Sequence, residues 1–135
     1  MKTTLISHAS LLIQSGNTTL LTDPVFFGFL WEECNVPCPS INLDLEKLPA
    51  VDVLNISHRH QDHFDIRTLA HIAASDSILA PDAIVLAPRD EILLDVLKEL
   101  EFKNVTVVED FKTIEFKGFT LTPTPSLNEQ DYFPE

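Results

Sequence analysis

The chain has 135 residues, 44% of them hydrophobic, and a formal net charge of −12. That length fits a single domain, residues 1–135, with a core of its own, and the apolar fraction excludes a disordered chain. The acidity disfavours nucleic-acid binding through a basic patch, because such a surface repels phosphate backbones.

Met1-Lys2-Thr3-Thr4 runs into a strand pattern and not into a long apolar signal segment. No apolar run reaches the length that spans a bilayer, so a cytoplasmic location is expected. Thr3 to Ile6, Ala9 to Gln14 and Thr18 to Thr22 read as three antiparallel strands, with Ser15-Gly16-Asn17 as a hairpin turn. The third ends at Asp23-Pro24, where proline stops the ladder. Taken by itself, Asp23 reads as an Asx-turn residue before proline.

Val25 to Asn42 is a long connection. Its first part, Phe26-Phe27-Gly28-Phe29-Leu30-Trp31, is aromatic; its second, Asn35-Val36-Pro37-Cys38-Pro39-Ser40, is rich in turn residues. A connection this long inside a compact domain is often functional, so a substrate lid is one reading. The other is a flap whose aromatic rings join the core. Cys34 and Cys38 are too few for a disulfide framework and would supply half of a structural zinc site. They read as reduced thiols.

Leu43 to Pro49 predicts a short helix or turn, and Val51 to Ile56 a buried strand. Next comes Ser57-His58-Arg59-His60-Gln61-Asp62-His63-Phe64-Asp65, which holds three of the five histidines of the chain. It lies at the carboxyl end of a strand, where open α/β sheets place their ligands. In extended backbone, residues i and i+2 project to one side, so His58 and His60 are suited to close on one ion. Asp62 and His63 turn away from them and suit a second. Imidazole and carboxylate suit zinc, iron or manganese, and a pair of such ions is a common means of activating water.

Asp65 predicts an N-cap, followed by Ile66, Leu69, Ile72 and Ala73 at helical spacing. His71, alone within that helix, reads as a surface or packing residue. Ala83 to Ala87 is a strand, and Asp90 to Glu101 an amphipathic helix with Ile92, Leu93, Val96, Leu97 and Leu100 on its apolar face. Val105 to Val108 is a further strand; Lys112 to Lys117 and Phe119 to Thr122 form a hairpin. The order predicts an α/β fold with a mixed sheet and helices on one face. There is no P-loop, no G-x-G-x-x-G and no G-x-S-x-G nucleophile elbow.

The stretch from Leu48 through the histidines to Asp65 resembles the signature of the metallo-β-lactamase superfamily. It is most similar to the branch of sugar-phosphate lactonase-like and N-acyl-phosphatidylethanolamine phospholipase D-like proteins. Ser7-His8-Ala9-Ser10 and Leu20-Leu21-Thr22-Asp23-Pro24 resemble the same branch, which usually has glycine where this chain has Ser7. The resemblance implies the first half of a four-layered αββα sandwich, C-terminally incomplete relative to the family. It implies His58, His60, Asp62 and His63 as ligands of up to two divalent ions, zinc above all, with manganese or iron as alternatives. It also implies Asp62 as a catalytic group that orients water, Asp23 as a support behind the metal loop, and His8 at the site mouth, touching substrate or satisfying backbone.

The family's further ligands have no counterpart in the sequence. The loop Pro123-Thr124-Pro125-Ser126-Leu127-Asn128-Glu129 carries no histidine, and none follows His71. Asn128, Glu129 and Asp131 are the nearby oxygen donors. The resemblance implies a metal-dependent hydrolase of phosphodiesters, lactones or related small-molecule esters. The alternative is a weak or inactive half-domain that serves as a binding or assembly module. A half-sandwich also leaves one face of apolar strands without its partner sheet. That predicts a homo-oligomer, unless the aromatic stretch Phe26 to Trp31 covers the face.

Overall fold

A computed structural model of the chain describes residues 1–28, 38, 40–41 and 43–125. Phe29, Leu30, Trp31 and Cys34 of the expected lid, and the oxygen donors Asn128, Glu129 and Asp131, lie outside these residues.

The chain forms β1 (Lys2–Ser7), β2 (Ser10–Ser15) and β3 (Thr18–Thr22), then a short 3-10 turn at Leu45–Lys47, then β4 (Val51–Asn55). Helix α1 (Ile66–Ala73), β5 (Leu79–Ala87), helix α2 (Glu91–Glu99) and β6 (Val105–Val107) follow, and β7 (Ile114–Phe116) with β8 (Phe119–Leu121) closes the series. β1 to β6 make one six-stranded sheet in sequence order. β1 and β2 pair antiparallel, as do β2 and β3, whereas β3 to β6 pair in parallel. It follows that β2 alone runs against the others. The carboxyl ends of β1, β3, β4 and β5 therefore meet on one rim, and every chemical group of interest sits there.

Each helix starts as its sequence dictates. Asp65 and Asp90 cap them by accepting from the backbone N–H of Thr68 and Leu93, a contact whose loss to alanine costs about 0.5–2 kcal/mol. Both helices lie on the same sheet face. Leu69, Ile72, Leu93 and Leu97 join Leu21, Leu54, Ile56, Val85 and Ala87 in the larger core. The helix faces are narrower than the spacing predicts. Ile66 and Ile92 are half exposed, while Thr68 is fully buried because its hydroxyl is hydrogen-bonded. β5 also begins earlier than predicted. Leu79 pairs with Val51 and the register resumes at Ile84 opposite Val53, so the strand bulges around Pro81, which has no N–H to give to the ladder.

The opposite face overturns one expectation. Leu20, Val53 and Leu86 are buried there under Ile114, Phe116, Phe119 and Leu121 of the β7–β8 hairpin. Among the described residues the hairpin covers this face, while Phe26 and Phe27 of the aromatic stretch pack into the helix-side core. Lys117 and Gly118 take φ of +45° and +87° at the hairpin tip, as a two-residue type I′ turn requires. Lys117 Nζ reaches Asp52 and Asp82 at 2.7 Å each. Asp52 is buried in β4 and also accepts from the Thr19 N–H at 2.9 Å. The layers are thus helices, sheet and hairpin, as expected of one half of an αββα sandwich. Among the described residues no helix is long and apolar enough to cross a membrane. Cys38 is a free, exposed thiol.

Candidate metal centre

The histidine loop is pinned at both ends. Ile56, buried, donates its N–H to Leu86 O at 2.9 Å. Phe64 and Asp65 are buried at the other end, where Asp65 accepts from the Thr68 hydroxyl at 2.6 Å. Between them His63 N–H and Phe64 N–H both donate to His60 O, closing a tight turn. This turn reverses the chain between the two pairs of side chains.

Behind the loop stands Asp23, at the end of β3 and 6% exposed. Its carboxylate accepts from Ser57 N–H at 2.7 Å, from Ser57 Oγ at 2.7 Å and from His63 Nδ1 at 2.9 Å. Its φ is +41°, and that of His8 is +39°. Such left-handed backbone at non-glycine residues costs on the order of 1–3 kcal/mol each and collects at functional sites. Here it turns both side chains toward the rim.

The structure places His8 and Asp62, 54 residues apart in sequence, in direct contact: His8 Nε2 lies 2.9 Å from Asp62 Oδ2. The His8 side chain thus bonds a carboxylate rather than the backbone. His63 Nε2 lies 3.6 Å from the same oxygen. Ligand atoms of His8, Asp62 and His63 all fall within 4.8 Å of one another. On the other side, His58 Nε2 and His60 Nδ1 are 3.0 Å apart, and the rings of His58 and His63 lie 4.2 Å apart between centroids. The four loop residues, His8 and Asp23 therefore form one continuous cluster. Arg59 points away and pairs with Asp90 at 3.3 Å. His71 stands apart, with its ring edge-on to Phe27.

The electrostatics follow from the crowding. Burial, then repulsion from His63 and His60, lowers the pKa of His58 despite the carboxylates of Asp23 and Asp62. Burial alone would raise the pKa of Asp62. The hydrogen bonds from its own N–H and from His8, with the charges of His63 and His8, outweigh burial and hold the carboxyl below its ordinary value. A neutral His58 imidazole and an ionised Asp62 carboxylate are the protonation states a cation requires of these two groups. Asp62 Oδ1 is a further sign: it is buried with no hydrogen-bond partner, and a desolvated carboxylate oxygen left unpaired is costly. The donor set fits a first-row divalent ion.

The resemblance places His8 at the site mouth, but two features of the cluster escape sequence reasoning. The contact of His8 with Asp62 needs the topology, because only parallel β1 and β4 bring their ends together. The hydroxyl of Ser57 carries no signal, since serine before a loop is unremarkable in composition.

Residues 2–133 match the family described as the beta-lactamase superfamily domain, and the chain belongs to that family. A protein of Mycobacterium tuberculosis (strain CDC 1551 / Oshkosh) that carries the name of a Rieske 2Fe-2S iron-sulfur protein is 35% identical over 98 residues, or 68% of this chain and 18% of that protein. The crystal structure of CmlA, a diiron beta-hydroxylase from Streptomyces venezuelae, superposes with a TM-score of 0.69 at 25% identity, covering 93% of this chain and 24% of CmlA. Isothiocyanate hydrolase from Delia radicum gut bacteria gives a TM-score of 0.60 at 25% identity, covering 87% of this chain and 43% of the hydrolase. The chain thus spans less than a quarter of the curated relative and less than half of either solved structure.

Proposed function

We propose that this domain binds divalent metal at the rim and contributes to the hydrolysis of a small-molecule ester, lactone or phosphodiester. The observation that carries the reading is the convergence of His8, Asp62 and His63 within 4.8 Å. In this reading His8, Asp62 and His63 would hold one ion, and His58 with His60 would contribute to a second. Such ions, when bound, supply Lewis acidity and acidify water toward neutral pH. Asp62 presents the carboxylate that orients the attacking water, and Asp23 holds the imidazole of His63 in place. The substrate class comes from the resemblance to the lactonase-like and phospholipase D-like branch. Nitrogen and oxygen donors suit zinc, manganese and iron alike, and similarity to a diiron protein puts iron level with zinc.

A second reading is favoured by the sequence after His71, which holds no histidine. On their own, the 135 residues would then bind metal yet turn over weakly, acting as part of a larger assembly. We extend the proposal to a cytoplasmic location, which suits the free thiol of Cys38. It also includes a homo-oligomer in which a second copy completes the donor set, which light scattering would test.

Elemental analysis of protein purified without chelator tests the metal. Zinc, manganese or iron should be present in wild type and lost from the His8→Ala, Asp62→Ala, His63→Ala triple variant. Equal metal content in both would overturn the site. Hydrolysis of bis(p-nitrophenyl) phosphate and of a simple lactone, measured on the same preparations, separates the active reading from the second one.

A further inference from the structure

Ser57 opens the histidine loop, and its hydroxyl stands between two side chains that matter. Ser57 Oγ lies 2.7 Å from Asp23 Oδ2 and 2.9 Å from His58 Nδ1. A hydroxyl has one hydrogen to give and two lone pairs to receive with, whereas an ionised carboxylate only receives. The Ser57 hydrogen must therefore go to Asp23. What remains on Ser57 Oγ is acceptor capacity, so His58 Nδ1 must carry the proton of that ring, leaving Nε2 bare. The same Asp23 oxygen lies 2.9 Å from His63 Nδ1, which by the same logic must be protonated, leaving His63 Nε2 bare. The longer approach of Ser57 Oγ to His63 Nδ1, 3.4 Å, adds little. The bare nitrogens then point where donors to a cation belong: His58 Nε2 at His60, 3.0 Å away, and His63 Nε2 at Asp62, 3.6 Å away. In a neutral His63, a lone pair would face a carboxylate across that gap, an arrangement that calls for a positive charge between them.

We propose that Ser57 is a positioning residue that relays the Asp23 carboxylate to His58, so that one buried aspartate sets the tautomers of both His58 and His63. The tautomers follow from the hydrogen bonds alone. Their consequence for binding rests on the metal reading above.

The test is long-range ¹H–¹⁵N correlation of the imidazoles in metal-free full-length chain at about pH 8, where histidine is neutral. Wild type should show His58 and His63 protonated at Nδ1. Ser57→Ala should move His58 toward the Nε2–H form and leave His63 unchanged, because Asp23 bonds that ring directly. Ser57→Thr, which keeps the hydroxyl, should restore the wild-type pattern. Zinc affinity should fall about 10–100-fold in Ser57→Ala, the range for loss of an outer hydrogen bond to a ligand, and recover in Ser57→Thr. His58 protonated at Nε2 in wild type, or unmoved by Ser57→Ala, overturns the relay. A shifted tautomer with undiminished zinc affinity overturns its role in binding. If wild type binds no zinc while the tautomers behave as stated, the metal reading fails and the relay stands.

Discussion

Replacing Asp23 by asparagine separates the charge of this residue from its backbone. Asparagine tolerates left-handed backbone nearly as well as aspartate, so φ of +41° is not the variable. The side chain is the same size. What changes is that one carboxylate oxygen becomes an NH₂ group. Its carbonyl can still accept from the Ser57 N–H, now 2.7 Å from Oδ1. The amide nitrogen would then face Ser57 Oγ and His63 Nδ1, which lie 2.7 and 2.9 Å from Oδ2. A donor would meet two groups that now donate. His63 relieves its part by moving its proton to Nε2, the nitrogen aimed at Asp62. Zinc affinity should therefore fall about 10–100-fold, or about 1.4–2.8 kcal/mol. Losing the charge-assisted bond to His63 should cost the fold about 1.5–3 kcal/mol, since Ser57 is exposed and re-pairs with water. Zinc titration against a competing chelator reads the first quantity and urea unfolding the second. Affinity within about threefold of wild type would refute the argument that Asp23 orients the site.

The lowered pKa of His58 predicts a pH dependence of a definite sign. The unfolded chain holds the His58 proton to a higher pH than the native chain does, so the contribution is present above the ordinary value of 6.5 and lost as pH falls through the lower native value. The urea midpoint should decline from pH 7.5 to pH 5, and by less in His58→Gln; equal slopes would contradict this. Asp62 acts with the same sign at more acid pH, below 3.8. At the far end of the sheet, Lys117→Met removes the cation 2.7 Å from both Asp52 and Asp82. Amide exchange in β7 and β8 should quicken and a hydrophobic dye should bind more strongly, with β4 unaffected; an unchanged hairpin would mean its apolar side chains suffice.

The element order was legible because it is local. β-branched and apolar residues mark β4 despite Asp52, an unbroken apolar run marks the end of β5, and Asp65 and Asp90 announce the helices that they cap. The start of β5 was hidden by Pro81 and Asp82, which read as a break but occupy a bulge whose register is set by Val51 and Val53. The cover of the second face was hidden for another reason. Asp52 looks misplaced in a buried strand until Lys117, 65 residues on, reaches it. The histidine loop stood out because its donors are contiguous. His8 was placed at the site mouth by resemblance, but its bond to Asp62 was not legible, since a side chain on the first turn reaches Asp62 only once β1, β3 and β4 share one direction.

That shared direction ties the site to one edge of the sheet. β1 is an edge strand whose residues Lys2 to Leu5 are exposed, and ladder bonds to β2 are most of what holds it. Its far end is fastened differently. Ser7 donates to the Val25 carbonyl at 2.6 Å, and Ser10 donates to the Asp23 carbonyl while accepting from the Val25 N–H. The first turn is thus knotted to the chain segment that carries Asp23. An ion shared by His8, Asp62 and His63 would add a clasp from that turn to the loop after β4, across two intervening strands. Ligands that favour the folded chain stabilise it by mass action, and this one would act on a strand with little burial of its own. Fraying of the amino-terminal edge and release of metal would then be the same event.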